Sequence, residues 1–207
     1  MNYGFAATPC HPGQYMDEER PTLSTERIIA CATEIADSEG LDAVSLSRVA
    51  RELGSSQPAL YRHIGSYPDL IRALGLRCRE LLADRLTDAA AGLAGDEAVS
   101  AMAGAWRGLV RDHPGLYAAT DRYPCAGDPE LEAAVNRIVE ILSMALLAYP
   151  LSDEQRIDVA RTLRSSFHGF SHLETGDGHP LDQDLDVSFD VLIQLLCRGI
   201  ASVTVGA

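Results

Sequence analysis

The chain contains no lysine: all 17 of its basic side chains are arginine, set against 30 acidic ones, for a formal net charge of −13. A charge of that sign repels a phosphate backbone overall, so contact with nucleic acid requires a local basic segment. No run approaches about 18 consecutive apolar residues. Met1 to Phe5 also lack the basic start and apolar stretch of a secretory leader, so a cytoplasmic location with no membrane partner is expected. The five cysteines, Cys10, Cys31, Cys78, Cys125 and Cys197, are odd in number and never spaced C-x-x-C, which argues against a disulfide framework and a thiolate zinc site. Reduced thiols are expected, with Cys31 and Cys197 inside helix cores. Signatures of catalysis are missing too: there is no G-x-G-x-x-G, no G-x-x-x-x-G-K-S/T and no G-x-S-x-G. The expectation is a protein that is not an enzyme and carries no cofactor.

What is present is enough apolar material for a core, 46% of 207 residues, and a charge distribution that is uneven. Between Ser45 and Gly65 stand Arg48, Arg51 and Arg62 against Glu52 alone, whereas Asp177, Asp182, Asp184, Asp186 and Asp190 gather near the end. A locally basic segment survives inside an acidic chain.

Residues 1–22 hold Pro9, Pro12, Pro21, Gly4 and Gly13 without sustained period and read as a flexible N-terminal arm. From Ser24 or Thr25, either able to cap, Ile28, Ile29, Ala32, Ile35 and Ala36 recur at helical spacing until Gly40. A second helix follows Ser45 and runs Leu46 to Leu53, ended by Gly54, a residue that tolerates the left-handed conformation. After a short turn, a third spans Gln57 to His63 with Pro58 in its first turn, where the missing N–H costs nothing. A long connecting helix is expected over 67–90, then helices at about 97–112, 114–121, 128–148, 153–174 and 184–204, with no alternation that demands a strand. The fold class is all-α: an N-terminal three-helix helix-turn-helix domain at 23–70 and a C-terminal helical ligand-binding and dimerisation domain at 71–207.

In a helix-turn-helix the first helix braces across the DNA backbone and the second lays its N-terminal residues against base edges. Val49, Ala50 and Leu53 are expected to pack on Leu60. The residues left to face double-stranded DNA are Ser45, Ser47, Arg48, Ser55, Ser56, Gln57, Pro58, Ala59, Tyr61, Arg62, His63 and Tyr67. Gln57 can pair with adenine and the Ala59 methyl can meet thymine, while Tyr61 and His63 suit phosphates. Taken on pattern alone, the same stretch is also an ordinary helical corner.

The order of residues decides between these. "LSTERIIACATEIADSEGLDAVSLSRVARELGSSQPALYRHIGSYPDLIRAL" (23–74), with its core "ARELGSSQPALYRHI" from Ala50 to Ile64, resembles the DNA-binding domain of the TetR family of transcriptional regulators. Ile64 stands where that family usually has an aromatic, and Tyr67 where it often has a lysine. "AWRGLVRDHPGLYAAT" (105–120) and "LRSSFHGFSHLETGDGHPL" (163–181) resemble the C-terminal type named for a Trp-His-Gly motif, with His168-Gly169 matching and Phe167 before them. The resemblance implies a homodimeric repressor on a near-palindromic operator, released by a small-molecule effector. A helical interaction module, or a regulator with no small-molecule ligand, is the alternative.

A ligand pocket is expected to draw on Met102, Trp106, Tyr117, Tyr123, Met144, Phe167, His168, Phe170 and His172, each of which can equally be core. His168 beside Gly169, a residue permitting close helix approach, fits a histidine bonded across a helix pair. His168 and His172, four apart, with Glu174 and His179, invite a metal reading. The pair lacks the intervening Glu of the metalloprotease motif, and no metal is expected. Leu163, Phe167, Phe170, Leu192, Leu195, Leu196 and Ile200 on the last two helices are the expected dimer surface, shared with the internal bundle.

Overall fold

A computed structural model of the chain describes residues 22–123 and 125–203, so the expected N-terminal arm, Thr22 excepted, and Cys10 lie outside the described residues. Among the described residues there are helices and no strands. In chain order they are α1 (Thr25–Glu39), α2 (Leu46–Glu52), α3 (Gln57–Leu60), α4 (Tyr67–Ala90), α5 (Gly95–Asp112), α6 (Pro114–Arg122), α7 (Pro129–Ala145), α8 (Asp153–Thr175) and α9 (Leu185–Val203), with 3-10 turns at Leu41–Ala43 and Leu146–Ala148.

Local chemistry sets the starts. Ser24, Ser45 and Ser66 are N-caps whose hydroxyls accept from the N–H of Arg27, Arg48 and Asp69, at 3.3, 3.2 and 3.2 Å. At α8, Ser152 accepts from the Gln155 N–H while the Gln155 side chain accepts from the Ser152 N–H, a reciprocal capping box. Gly54 takes φ 59° after α2 and turns the chain toward α3. The third helix is shorter than its pattern suggests. Regular α geometry stops at Leu60, and Tyr61 to His63 continue as a turn that ends when the Ile64 N–H reaches the Leu60 carbonyl at 2.8 Å.

α4, about 36 Å long at 1.5 Å per residue, is the spine: its N-terminal end supports α1, and the rest packs against α5, α6 and α7. One continuous apolar core runs from Ile28 and Leu60, through Leu70, Leu74 and Leu86 of α4, to Phe167 and Ile200. The two ends of the molecule therefore share packing and are not joined by a linker. Cys31, Cys78 and Cys197 are buried free thiols, and burial pushes that of Cys78 up to about 12, which keeps it protonated and inert.

A short helix ties the two ends together. At the start of α6, Gly115 sits against the α1 backbone, where a Cβ would come within 1.9 Å of the Ala36 carbonyl oxygen. Asp37 of α1 accepts from the Leu116 N–H at 2.9 Å and meets His113 Nδ1 at 2.7 Å, so an α1 carboxylate stands at the positive N-terminal end of α6. Gly169, expected to permit a close helix approach, has nothing within 4 Å of where its Cβ would stand. The tightest helix approach at a glycine among the described residues is at Gly115, with Gly75 of α4 next, 3.1 Å from the Ala119 carbonyl oxygen by the same measure.

Candidate functional site

The outer face of α2, its turn and α3 comes first. Val49 and Leu60 are fully buried and Ala50 nearly so, which fixes the two helices on α1. Leu53 is half-buried at the edge of that core. With those positions facing inward, Ser47, Ser56, Gln57, Pro58, Tyr61, Arg62, His63 and Tyr67 are exposed, while Ser45, Ser55 and Ala59 are half-buried beside them. Tyr61 and Tyr67 are 50% and 42% exposed, a large accessible area for aromatic side chains without internal packing to explain it.

Three residues on this face have commitments within the chain, that of Ser45 legible in the sequence and those of Arg48 and Tyr67 not. Arg48 is forked onto Glu39, with bonds of 2.7 and 3.1 Å, and its Nε donates to Glu52 at 2.8 Å. Its charge is paired with two carboxylates of the same chain at the surface, bracing α2 against the end of α1. Ser45 uses its hydroxyl as the α2 cap. Tyr67 lines a small cleft of about 230 Å³ with Leu41, Pro68 and Tyr123. Arg62 is then the cation that this surface presents most openly, beside Arg51, which is 68% exposed and lies 3.4 Å from Glu52.

The second feature is a solvent-open cavity of about 310 Å³ bordered by α4 to α8. Trp106, Tyr117 and His168 line it, as the sequence suggests. They are joined: the Trp106 Nε1–H donates to the Tyr117 hydroxyl at 3.0 Å, and that hydroxyl lies 2.8 Å from His168 Nδ1. Indole can only donate, so the Tyr117 oxygen accepts from it and its own proton is free to go to His168 Nδ1. In that arrangement Nε2 is the protonated nitrogen of the imidazole. Burial, ahead of the opposing pull of Asp121, lowers the His168 pKa and favours the neutral ring; burial likewise raises the Tyr117 phenol and keeps it protonated.

The other pocket candidates lie elsewhere. Met102 and Phe167 are fully buried core residues, with Phe167 edge-on to Trp106 at 6.0 Å between centroids. Phe170 packs on Phe189 and beneath the Arg107 guanidinium, which Glu174 and Asp186 hold in ion pairs. His172 stacks on His168 at 5.6 Å but is half open to solvent and does not line the cavity. Tyr123 faces the Tyr67 cleft. Met144 is 59% exposed, because α7 buries Leu131, Ile138, Leu142 and Ala145 along one stripe and Met144 falls off it.

Sequence reasoning missed most of the cavity's wall. Arg79 and Leu82 come from α4, Thr120 and Asp121 from α6, and Val135 and Ile138 from α7. Arg164 and Ser165 come from α8. A search for aromatic and methionine side chains passes over arginines, and only the rotation of each helix in the bundle tells which ones turn inward.

Comparison with known proteins agrees with this geometry. Residues 28–74 match the family described as bacterial regulatory proteins, tetR family, and residues 99–196 match the tetracyclin repressor-like C-terminal domain. The chain is 37% identical over 179 residues to Rv0681 of Mycobacterium tuberculosis, an uncharacterized HTH-type transcriptional regulator, spanning 86% of this chain and 82% of that one. It is 32% identical over 133 residues to the HTH-type transcriptional repressor DrrR1 of Streptomyces coeruleorubidus, covering 61% of this chain and 46% of that protein. Among solved structures, BioQ with its double-stranded DNA operator superposes with a TM-score of 0.64 at 27% identity, over 87% of this chain and 99% of that one.

Proposed function

The chain belongs to the TetR family of bacterial regulatory proteins and is a DNA-binding transcriptional regulator, and on that premise we propose that it is a homodimeric repressor whose operator grip is loosened when a small molecule enters the α4–α8 cavity. The observation that carries this reading is the division of labour in α2 and α3. Val49 and Leu60 are fully buried while Gln57, Tyr61, Arg62 and His63 stand exposed together on the opposite side, in the order that a recognition helix needs. In this reading Gln57 and Ala59 meet base edges, and Ser47, Ser56, Tyr61, Arg62 and His63 meet phosphates. Arg48 acts indirectly, by holding α2 to Glu39. The repressor sense is supported by DrrR1, and the operator mode by BioQ.

Two recognition helices must reach major grooves about 34 Å apart, so the half-sites need a dimer. Val187, Val191 and Leu195 of α9 are 59%, 49% and 61% exposed and recur every fourth residue, an apolar stripe suited to a second copy of the chain. Leu163, Phe167 and Ile200, also expected at that surface, are buried within one protomer and serve the internal bundle.

Coupling between cavity and DNA runs through α6. Tyr117, Thr120 and Asp121 form part of the cavity wall, while Gly115 and Leu116 of the same helix dock on α1. A ligand that displaces α6 therefore acts on the helix that supports α2 and α3. Linkage requires that such a ligand bind the DNA-free state more tightly, and that DNA weaken the ligand in return.

The test is selection of bound sequences from random duplex DNA with the full chain, repeated with Gln57→Ala and Arg62→Ala. Enrichment of a short palindrome by the wild type, relaxed at one position by Gln57→Ala and uniformly weakened by Arg62→Ala, supports the assignment. No enrichment at low salt would overturn it.

A further inference from the structure

We propose that the α4–α8 cavity takes a small organic monoanion, a carboxylate borne on an apolar body, with Arg79 and Arg164 facing its charge and His168 offering a neutral N–H. The inference rests on the effector reading above for the role of the site, and stands on the wall's own chemistry for the class of ligand.

Arg79 is the main reason. Its side chain rises from the middle of α4 and the residue is only 6% exposed, yet no carboxylate among the described residues lies within ion-pair distance of it. Its contacts are neutral acceptors: Nη1 donates to the Gly75 carbonyl at 2.9 Å, and Nη2 to the Thr120 carbonyl at 2.8 Å and to Cys125 Sγ at 3.0 Å. This is unusual for the chain. The other well-buried arginines are each paired with a carboxylate: Arg107 and Arg72 are forked onto Glu174 and Asp128, and Arg156 meets Asp153. Withdrawing a guanidinium from water without an opposite charge is costly, and an anion arriving from solvent offsets that cost. Three of the five guanidinium N–H groups are engaged, which leaves donors for it.

The rest of the wall points the same way. Arg164 of α8 lines the cavity, again with no ion pair among the described residues. Asp121 is the single acid on the wall; its side chain is 47% exposed, with His172 Nδ1 4.0 Å away. Two guanidiniums against one carboxylate leave one surplus positive charge, in a protein whose net charge is −13. One surplus charge matches a monoanion better than a phosphate dianion. The Trp106–Tyr117–His168 relay adds a directed donor, since a ring that accepts at Nδ1 carries its proton on Nε2. Beyond the charged end, Leu82, Val135 and Ile138 form an apolar wall. The volume, about 310 Å³, lies at the low end for small-molecule sites, so the body of the ligand is small.

Trp106 is the only tryptophan in the chain and lies on the wall, so its fluorescence reports occupancy directly. The full chain is titrated with octanoate, benzoate and hydrocinnamate, each paired with its primary amide, which keeps the shape and removes the charge. The expected result is a saturable change for at least one acid, with affinity about tenfold or more above its amide. Arg164→Gln, an exposed position that leaves the fold intact, is expected to cut that preference to about threefold or less, and Arg79→Gln, if folded by circular dichroism, to abolish it. Equal binding of acids and amides, no saturable change with any acid, or full preference retained in Arg164→Gln would overturn the proposal. Operator release, measured in the same titrations, separates the two readings. An acid that binds without affecting DNA overturns the effector role and sustains the ligand class. Amides that bind and release DNA while the acids do neither sustain the role and overturn the class.

Discussion

Gly115 lies against Ala36 so closely that a methyl group on its Cα would stand 1.9 Å from the Ala36 carbonyl oxygen and 2.7 Å from the Asp37 nitrogen. Both neighbours are helix backbone, which cannot swing aside as a side chain can. Gly115→Ala is therefore expected to push α6 off α1 and destabilise the protein by about 1–3 kcal/mol, despite the better helix propensity of alanine. At this chain length each kcal/mol lowers the melting temperature by about 2–4 °C. A melt of Gly115→Ala that coincides with wild type would show that the two helices do not meet this closely.

The Trp106–Tyr117–His168 chain makes a separate prediction. Tyr117→Phe keeps the ring and removes the oxygen, leaving the Trp106 Nε1–H, on a residue 2% exposed, without an acceptor. An orphaned buried donor costs about 1–3 kcal/mol. The urea midpoint of Tyr117→Phe is expected to fall accordingly. The double variant Tyr117→Phe/Trp106→Phe is expected to lose less than the sum of the two single losses, because the second change removes the orphan. Strict additivity would mean that the two groups do not interact.

The N-terminal half was largely legible because its rules are local. Ser24 and Ser45 announce helices through an interaction spanning three residues, and Gly54 and the apolar set Val49, Ala50 and Leu60 settle the corner within one short stretch. The face that Gln57, Tyr61 and Arg62 present then follows from elimination. Arg48 shows the limit: its partner Glu39 is nine residues away across a turn, and sequence reasoning counted its charge as available to phosphate. The cavity was legible only where aromatic residues mark it. Arg79 and Arg164 turn inward because of how α4 and α8 are rotated in the bundle, which no period reveals. Gly115 and Gly169 look alike in sequence, and only the element opposite each distinguishes them.

Acid sensitivity is expected at the start of α7. The Arg72 guanidinium beside Asp128 is the main reason that its carboxyl drops from 3.8 to about 2, with the Leu131 N–H adding to the effect. A folded-state pKa below the unfolded one contributes stability that is present in full above the unfolded value and is lost as pH falls toward the folded one. Asp128→Asn removes the charge and keeps a good helix cap. The gap in melting temperature between wild type and Asp128→Asn should therefore be constant at neutral pH, narrow below about pH 4, and close near pH 2. A gap that does not change over that window would mean that Arg72 and Asp128 contribute nothing as a pair.

The dimer proposal is tested most sharply at Leu195, the most exposed of the three apolar positions on the α9 stripe at 61%. In an isolated protomer Leu195→Glu is close to neutral for folding, because the side chain faces solvent and surface substitutions shift stability by about 0.5 kcal/mol or less. In a dimer joined through α9 it places a carboxylate in the apolar centre of the interface, and a buried charge without a partner costs several kcal/mol. The two situations separate cleanly: sedimentation should find wild type dimeric and Leu195→Glu monomeric, with similar melting behaviour at low concentration. Operator binding should fall by about a hundredfold or more, because two linked half-site readers gain an effective concentration that single ones lack. A Leu195→Glu protein that stays dimeric and binds a palindrome normally would move the interface away from α9, and the exposed stripe of Val187, Val191 and Leu195 would then need a different explanation.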